Sequence, residues 1–267
     1  MYWRALARYE KVLGPDHTST LATVNNLGSL YRDQGKLAGA EQMYVRALAG
    51  YEKALGPDHT STLDIVHNLG LLYGDQGKLA EAEQMYVRAL AGCEKALGPD
   101  HTSTLLTVNN LGNLYGDQGR LDESEQMYQR ALTGIGNALG SEHMWTLGTM
   151  NNLGNLHCEK YQPDRAEQMY HRALSGMEKA LGPDHTFVLG IVNNLGVLCA
   201  DRGLLVESKQ MYQRALDGLQ SRLGSDHPIT RMIIENLEPL QKEAGKDQAT
   251  SVGEGTGHRP RRRWYFP

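Results

Sequence analysis

Cysteine is scarce in this 267-residue chain. There are three, Cys93, Cys158 and Cys199, and no two stand in a CxxC or other metal-binding spacing. They read as reduced thiols, which removes a disulfide framework and leads us to expect a cytoplasmic protein. Long apolar runs are missing. No stretch approaches the roughly 18 residues of a membrane span, and no signal peptide opens the chain, so no membrane partner is expected. Period-two alternation is absent over any useful length, which removes strands. Positive charge is not in excess. The formal net charge is −4; the last 23 residues hold five Lys or Arg and two Asp or Glu, which leaves 22 basic against 29 acidic residues in the body. A body of that sign disfavours nucleic acid and anionic lipid.

What is present is a repeat. GPDH-type turns begin at Gly14, Gly56, Gly98, Gly140, Gly182 and Gly224, always 42 residues apart. An Asn-Asn-Leu-Gly tetrapeptide or its variant begins at Asn25, His67, Asn109, Asn151, Asn193 and Glu235, again 42 apart. Self-similarity at this period marks a solenoid. Each repeat reads as two helices. Leu21, Val24, Leu27, Leu30 and Tyr31 form one helical stripe, with Asp16 as the expected N-cap and Gly35 as the stop. Leu37, Ala40, Tyr44, Ala47, Leu48 and Tyr51 form the second, which stops at Gly56-Pro57. Gly28, Gly70, Gly112, Gly154 and Gly196 sit where a side chain would separate the two helices. Ala40, Ala82 and Ala166, with Ser124 and Ser208, are expected to face them. Tyr44, Tyr86, Tyr128, Tyr170 and Tyr212 are expected to fill the space between repeats.

The spacing Val24-x2-Leu27-Gly28-x2-Tyr31, then Ala40-x3-Tyr44 and Ala47, resembles the tetratricopeptide repeat. The usual period is 34; the eight extra residues here lengthen the second helix by about two turns. This 42-residue form resembles the kinesin light chain type of repeat, and also the C-terminal arrays of fungal nucleotide-binding, death-receptor-like proteins. The resemblance covers about residues 1–240. It implies an all-α, right-handed superhelical solenoid of helix pairs. We expect the array over residues 1–244: a truncated first unit 1–13, five full units 14–223 and a capping helix 228–243. In that helix Glu238 occupies the Gly28 position and Gln241 the Tyr31 position. Residues 245–267 are expected to be a disordered basic tail; its end, RPRRRWYFP, has the charge to address an acidic surface. Residues 1–13 match a second-type helix without its partner, so Tyr2, Ala5, Leu6 and Tyr9 are expected to lie bare. That leads us to expect the C-terminal end of a longer array, with weak self-association through the uncapped helix.

No catalytic grouping stands apart from the repeat, and we expect no enzyme, cofactor or metal. The six turn histidines are too far apart to share a zinc, whose ligands each lie about 2 Å away. GDQGK at 74–78 lacks the P-loop spacing and its Ser or Thr. In the fourth repeat His157, Cys158, Tyr161 and Pro163 depart from the pattern.

Binding remains. By resemblance the first-type helices line a concave groove that takes a partner peptide or protein. The residues expected to face it are Asn25, Ser29, Arg32 and Asp33, then His67, Leu71, Gly74 and Asp75. Later repeats add Asn109, Asn113 and Asp117, Asn151, Asn155 and Glu159, and Asn193 and Asp201. Asparagine offers a donor and an acceptor and pairs with an extended backbone whatever its side chains. The second asparagines, Asn26, Asn68, Asn110, Asn152 and Asn194, are expected at the helix seam. A ladder of asparagines that serves the fold alone is the other reading. The recurring charge, Asp33, Asp75, Asp117, Glu159 and Asp201, favours a neutral or basic peptide. The sequence therefore points to a non-catalytic interaction scaffold. The alternative is a regulatory array separated from a longer nucleotide-binding signalling protein and acting through self-association.

Overall fold

The structure, a computed structural model, describes residues 2–246, with side-chain surroundings as far as residue 240. The basic tail expected from residue 245 lies outside the described residues from 247 on. Among the described residues there are twelve α-helices and no strand. The first-type helices are α2 (Thr18–Asp33), α4 (Thr60–Asp75), α6 (Thr102–Asp117), α8 (Met144–Glu159), α10 (Thr186–Asp201) and α12 (Pro228–Lys246). The second-type helices are α1 (Tyr2–Leu13), α3 (Leu37–Leu55), α5 (Leu79–Leu97), α7 (Leu121–Leu139), α9 (Pro163–Leu181) and α11 (Leu205–Leu223).

Each first-type helix begins at a histidine. His17 Nδ1 accepts the amide of Ser19 at 3.2 Å, and His59, His101, His143, His185 and His227 repeat this contact at 3.2–3.3 Å. The expected cap at Asp16 is therefore corrected. The residue next to the helix is His17, whose extended backbone points its ring nitrogen at an otherwise orphan amide. Asp16 instead pairs with Lys53 at 2.7 Å. After the first four of these histidines, the threonine three residues on ties the turn down. Thr20, Thr62, Thr104 and Thr146 donate to the carbonyls of Gly14, Gly56, Gly98 and Gly140 at 2.8–2.9 Å.

The described residues divide into two compact bodies, with the boundary between Ala138 and Leu139. In the first, α1 packs on α2, and α2 to α6 pack in succession. Leu6, Leu21, Val24, Leu27, Tyr44, Tyr51, Ile65 and Leu69 share one core, and Tyr86, Leu111 and Leu114 belong to another. Leu6 is 2% exposed, which corrects the expectation that it lies bare: α2 takes this side of α1. Tyr2, Trp3, Tyr9, Val12 and Leu13 stay exposed. In the second body α8 packs on α9, and α9 to α12 follow in turn. Its core joins Leu189, Val192, Tyr212, Leu219, Ile233, Leu237 and Leu240.

The seam within a repeat depends on glycine. A Cβ on Gly28 would meet the Tyr44 ring at 2.8 Å, and on Gly154 the Tyr170 ring at 2.6 Å. The tyrosine thus lies across the glycine of its own repeat. Ser124 and Ser208 donate to the carbonyls of Gly112 and Gly196 at 2.8 and 2.7 Å, so the small-residue position also abuts that glycine. The turn between the two helices needs a left-handed residue. Gly35, Gly77, Gly119 and Gly203 supply it with φ of 71–76°; the fourth repeat uses Tyr161 at φ 55°.

Candidate peptide-binding groove

The first position of the pair lies six residues, nearly two helical turns, before the Tyr31 register, and Asn25, His67, Asn151 and Asn193 bond to the next first-type helix. In the first body Asn68 Nδ2 donates to Asn25 Oδ1 at 3.0 Å, and Asn110 Nδ2 lies 3.1 Å from His67 Nε2. In the second body Asn194 donates to Asn151 at 3.0 Å and Asn236 to Asn193 at 3.3 Å. Within a pair, the Nδ2 of Asn109, Asn151 and Asn193 donates to the side-chain Oδ1 of Asn110, Asn152 and Asn194 at 3.3–3.5 Å. Asn26 is exposed, but from the second repeat on both members of the pair thus belong to a ladder within each body. The second asparagine is its donor, not a seam residue between the helices of one repeat.

His67 takes the asparagine's place because a neutral imidazole also offers one donor and one acceptor. Nε2 accepts from Asn110. Nδ1 then carries the proton and faces Thr107 Oγ1 at 3.3 Å, while that hydroxyl donates to the Ser103 carbonyl at 3.1 Å. This tautomer follows from the hydrogen-bond network. The ring also packs edge-on against Tyr86. Burial, aided by the charge of Arg32, lowers the His67 pKa from 6.5 to about 4.

The expected groove residues fall into three groups. Asn109, Asn151 and Asn193 are 5%, 3% and 0% exposed, so their amides are committed to the ladder. Asn113 and Asn155 accept the hydroxyls of Tyr128 and Tyr170 at 2.6 and 2.7 Å, as Ser29 takes that of Tyr44 at 3.0 Å. They orient the seam tyrosines. Asp33, Asp75 and Asp117 are exposed, and Asn25 and His67 are part-buried. Asp75 lies 3.3 Å from Arg32 Nε. Partial burial raises its carboxyl pKa, Arg32 opposes this, and Asp33 adds to the rise.

The second-type helices carry a ladder of their own that sequence reasoning missed. Arg46, Arg88 and Arg130 pair with Glu10, Glu52 and Glu94 at 2.5–2.7 Å, and Arg214 with Glu178 at 2.5 Å. The signal was there: a Glu is followed 36 residues later by an Arg. No helix among the described residues is long and apolar enough to cross a membrane.

The comparisons with known proteins agree with this geometry. One tetratricopeptide repeat model matches residues 1–53, 20–95, 61–135 and 103–179, and another matches residues 188–229. No curated protein sequence matches the chain. Among solved structures, a Podosopora anserina protein designated a kinesin light chain, with nearly identical TPR-like repeats, is 21% identical. The match covers 78% of this chain and 98% of that one, with a TM-score of 0.61. BtubC (BKLC) from P. vanneervenii is 17% identical over 97% and 96% of the two chains, at 0.63. PilF of Pseudomonas aeruginosa is 15% identical over 86% and 91%, at 0.55. At these identities the likeness concerns the fold, which is that of kinesin light chain-like helix-pair arrays. With its glycine-tyrosine seams, histidine-capped helices and matches along most of its length, the chain belongs to the tetratricopeptide repeat family.

Proposed function

We propose that this chain is a non-catalytic scaffold that holds a neutral or basic peptide, or a protein segment of that kind, along its first-type helices. Tetratricopeptide repeats in general build protein–protein interaction surfaces. The observation that carries the finer reading is the recurrence of Asp33, Asp75 and Asp117 as exposed carboxylates at one register position, with Arg32 the one cation among the groove positions of the first repeats. Evenly spaced carboxylates favour lysine and arginine side chains and repel acidic ones. The asparagines contribute less directly than their number suggests, because those of the later repeats bond to one another. Asn25, His67, Asn68 and Asn110, all in the first body, are the ladder members with a part-exposed edge.

The test is fluorescence anisotropy with labelled peptides of one length and three charges. The basic peptide should bind at least tenfold more tightly than the acidic one. Asp33→Asn with Asp117→Asn should remove about tenfold of that affinity, if each partly screened charge contributes about 0.5–1 kcal/mol. The melting temperature should hardly move. Equal binding of the acidic peptide would sink this reading.

A second reading has its own observation. Tyr2, Trp3, Tyr9, Val12 and Leu13 are exposed on α1, an apolar stripe of the kind that associates. It supports weak self-association, as expected of a regulatory array. Trp3→Glu with Val12→Glu should abolish any concentration-dependent mass in light scattering, since neither side chain is part of the core.

A further inference from the structure

One seam tyrosine beside the candidate groove has a hydroxyl that the chain leaves unused. In the first, third and fourth repeats a single register of the first-type helix takes this hydroxyl. Ser29 takes that of Tyr44, Asn113 that of Tyr128 and Asn155 that of Tyr170, at 2.6–3.0 Å. The second repeat has Leu71 at that register, which offers no polar atom. Tyr86 keeps the common pose: a Cβ on Gly70 would meet its ring at 2.8 Å, as one on Gly28 would meet Tyr44. Its ring touches His67 edge-on, and nothing among the described residues bonds to its hydroxyl. Tyr86 is only 4% exposed, yet the hydroxyl is not sealed off. A polar atom at the end of a buried ring is costly to leave unpaired unless something from outside meets it.

The hydroxyl opens on an empty notch. In the fourth repeat Cys158 Sγ lies 3.7 Å from the Tyr170 hydroxyl, so this hydroxyl stands beside the register of Cys158 as well as that of Asn155. In the second repeat the Cys158 register is Gly74, where an added Cβ would meet nothing within 4 Å. Leu71, Gly74 and Asp75 share one face of the last turn of α4, at helical neighbour spacing. Leu71 packs against the cluster that contains Tyr86 and gives the notch an apolar wall. The first repeat shows what the register can hold: Arg32 fills it from within the chain and reaches Asp75 at 3.3 Å. The charges select the ligand. Arg32 is offset by Asp75, whose side chain is still 50% exposed, and the exposed Asp33 adds a second carboxylate. The notch also lies at the C-terminal end of α4, the negative end of the helix dipole. Burial above all, with the charge of Asp75, raises the Tyr86 pKa above its ordinary value of 10.0, so the group meets a ligand as a neutral hydroxyl.

We propose that the notch formed by Leu71, Gly74, Asp75 and Tyr86 is an anchor subsite for one lysine side chain of the bound segment. The methylenes lie along Leu71 and over Gly74, and the ammonium donates to the Tyr86 hydroxyl oxygen and the Asp75 carboxylate. A slender stem with a compact head of three donors suits a narrow notch with two acceptors. The subsite rests on the groove reading above and names one contact within it, but its test uses a single residue as probe, so the two can fail separately.

Blocked lysine (N-acetyl-lysine N-methylamide) is titrated into the full chain carrying isotope-labelled tyrosine rings, and Tyr86 is read by NMR, its signal assigned by its loss in Tyr86→Phe. The Tyr86 signal should shift saturably in the millimolar range. Tyr128, whose hydroxyl Asn113 already takes, should not respond. Blocked norleucine, which has the stem without the charge, should bind about tenfold more weakly, the worth of one charge-assisted hydrogen bond. Gly74→Arg supplies from the chain the side chain that Arg32 supplies one repeat earlier, at a position with room for it, and should abolish the shift. No saturable shift of Tyr86 overturns the proposal, as does an equal response to norleucine or a response that survives Gly74→Arg. A stronger response to blocked glutamate also overturns it, because Arg32 then directs an anion to the notch. A lysine response here beside equal binding of acidic and basic peptides would sink the groove reading alone.

Discussion

An asparagine ladder runs through each body of this chain, and only the first contains a histidine. Asn151, Asn194, Asn193 and Asn236 link the second body amide to amide, while His67 receives Asn110 in the first. The pair shows that the ladder requires one donor and one acceptor at a fixed place, not asparagine as such. It also shows what the exchange costs. An amide has no titration near neutrality; an imidazole does.

The largest difference between the two ladders should therefore appear in acid. The His67 pKa falls from 6.5 unfolded to about 4 folded. Above pH 6.5 neither state holds the proton, and the contact contributes in full. Between pH 6.5 and about 4 the unfolded chain takes a proton that the folded chain refuses, so stability drops as pH falls. The loss should reach about 3 kcal/mol near pH 4 and then level off. His67→Asn should remove this component. Urea unfolding of both forms at pH 7.5 and 4.5 measures it; parallel losses would show that the ring is not confined as described.

A smaller effect should separate the ladders at neutral pH. Asn194 is fully buried and Asn68 only partly. Asn194→Ala leaves the buried Oδ1 of Asn151 with one partner fewer and should cost about 1–3 kcal/mol. Asn68→Ala, near solvent, should cost about 0.5–1.5 kcal/mol. If the two losses are equal in denaturant titration, burial is not what distinguishes the two ladders.

Much of this architecture was legible in the sequence, and the reasons are specific. The close seam could be read because glycine recurs on the apolar stripe every 42 residues, but one partner was not: the tyrosine was expected between repeats, whereas the Tyr44 ring also lies over Gly28 of its own repeat. The helix starts were misplaced by one residue because Asp16 is chemically the commoner cap, and nothing local says that the His17 ring nitrogen will reach Ser19. The ladder was half legible. Two adjacent asparagines advertise a polar line along the helix, but which one accepts and which donates depends on the offset between neighbouring helices, and that is a tertiary quantity. Leu6 was misread because helix spacing alone placed it on the same face as Tyr2 and Tyr9, whereas α2 covers one edge of that face and leaves the other. The Glu–Arg pairs on the second-type helices were legible as a 36-residue offset, but each residue alone looks like ordinary surface charge.

The smallest expected difference lies in the turns, where the first body is regular and the second is not. Gly35, Gly77 and Gly119 occupy the left-handed region, as does Gly203; Tyr161 holds the same conformation with φ 55° and a side chain 93% exposed. A Cβ in that region meets the following carbonyl, at a cost of roughly 1–2 kcal/mol. The exposed ring gains little packing in return. The turn is still closed by the amide of Gln162 on the carbonyl of His157 at 2.8 Å, the bond that Lys36 makes to Tyr31 in the first repeat. The hydrogen bonding is therefore in place and the side chain is what strains it. Tyr161→Gly should stabilise the protein by about 1 kcal/mol, reduced by the greater freedom of glycine in the unfolded chain. Thermal unfolding should show a small upward shift, and Gly119→Tyr a loss of similar size. A fall in stability for Tyr161→Gly would mean that the tyrosine ring has a packing role in the fourth repeat.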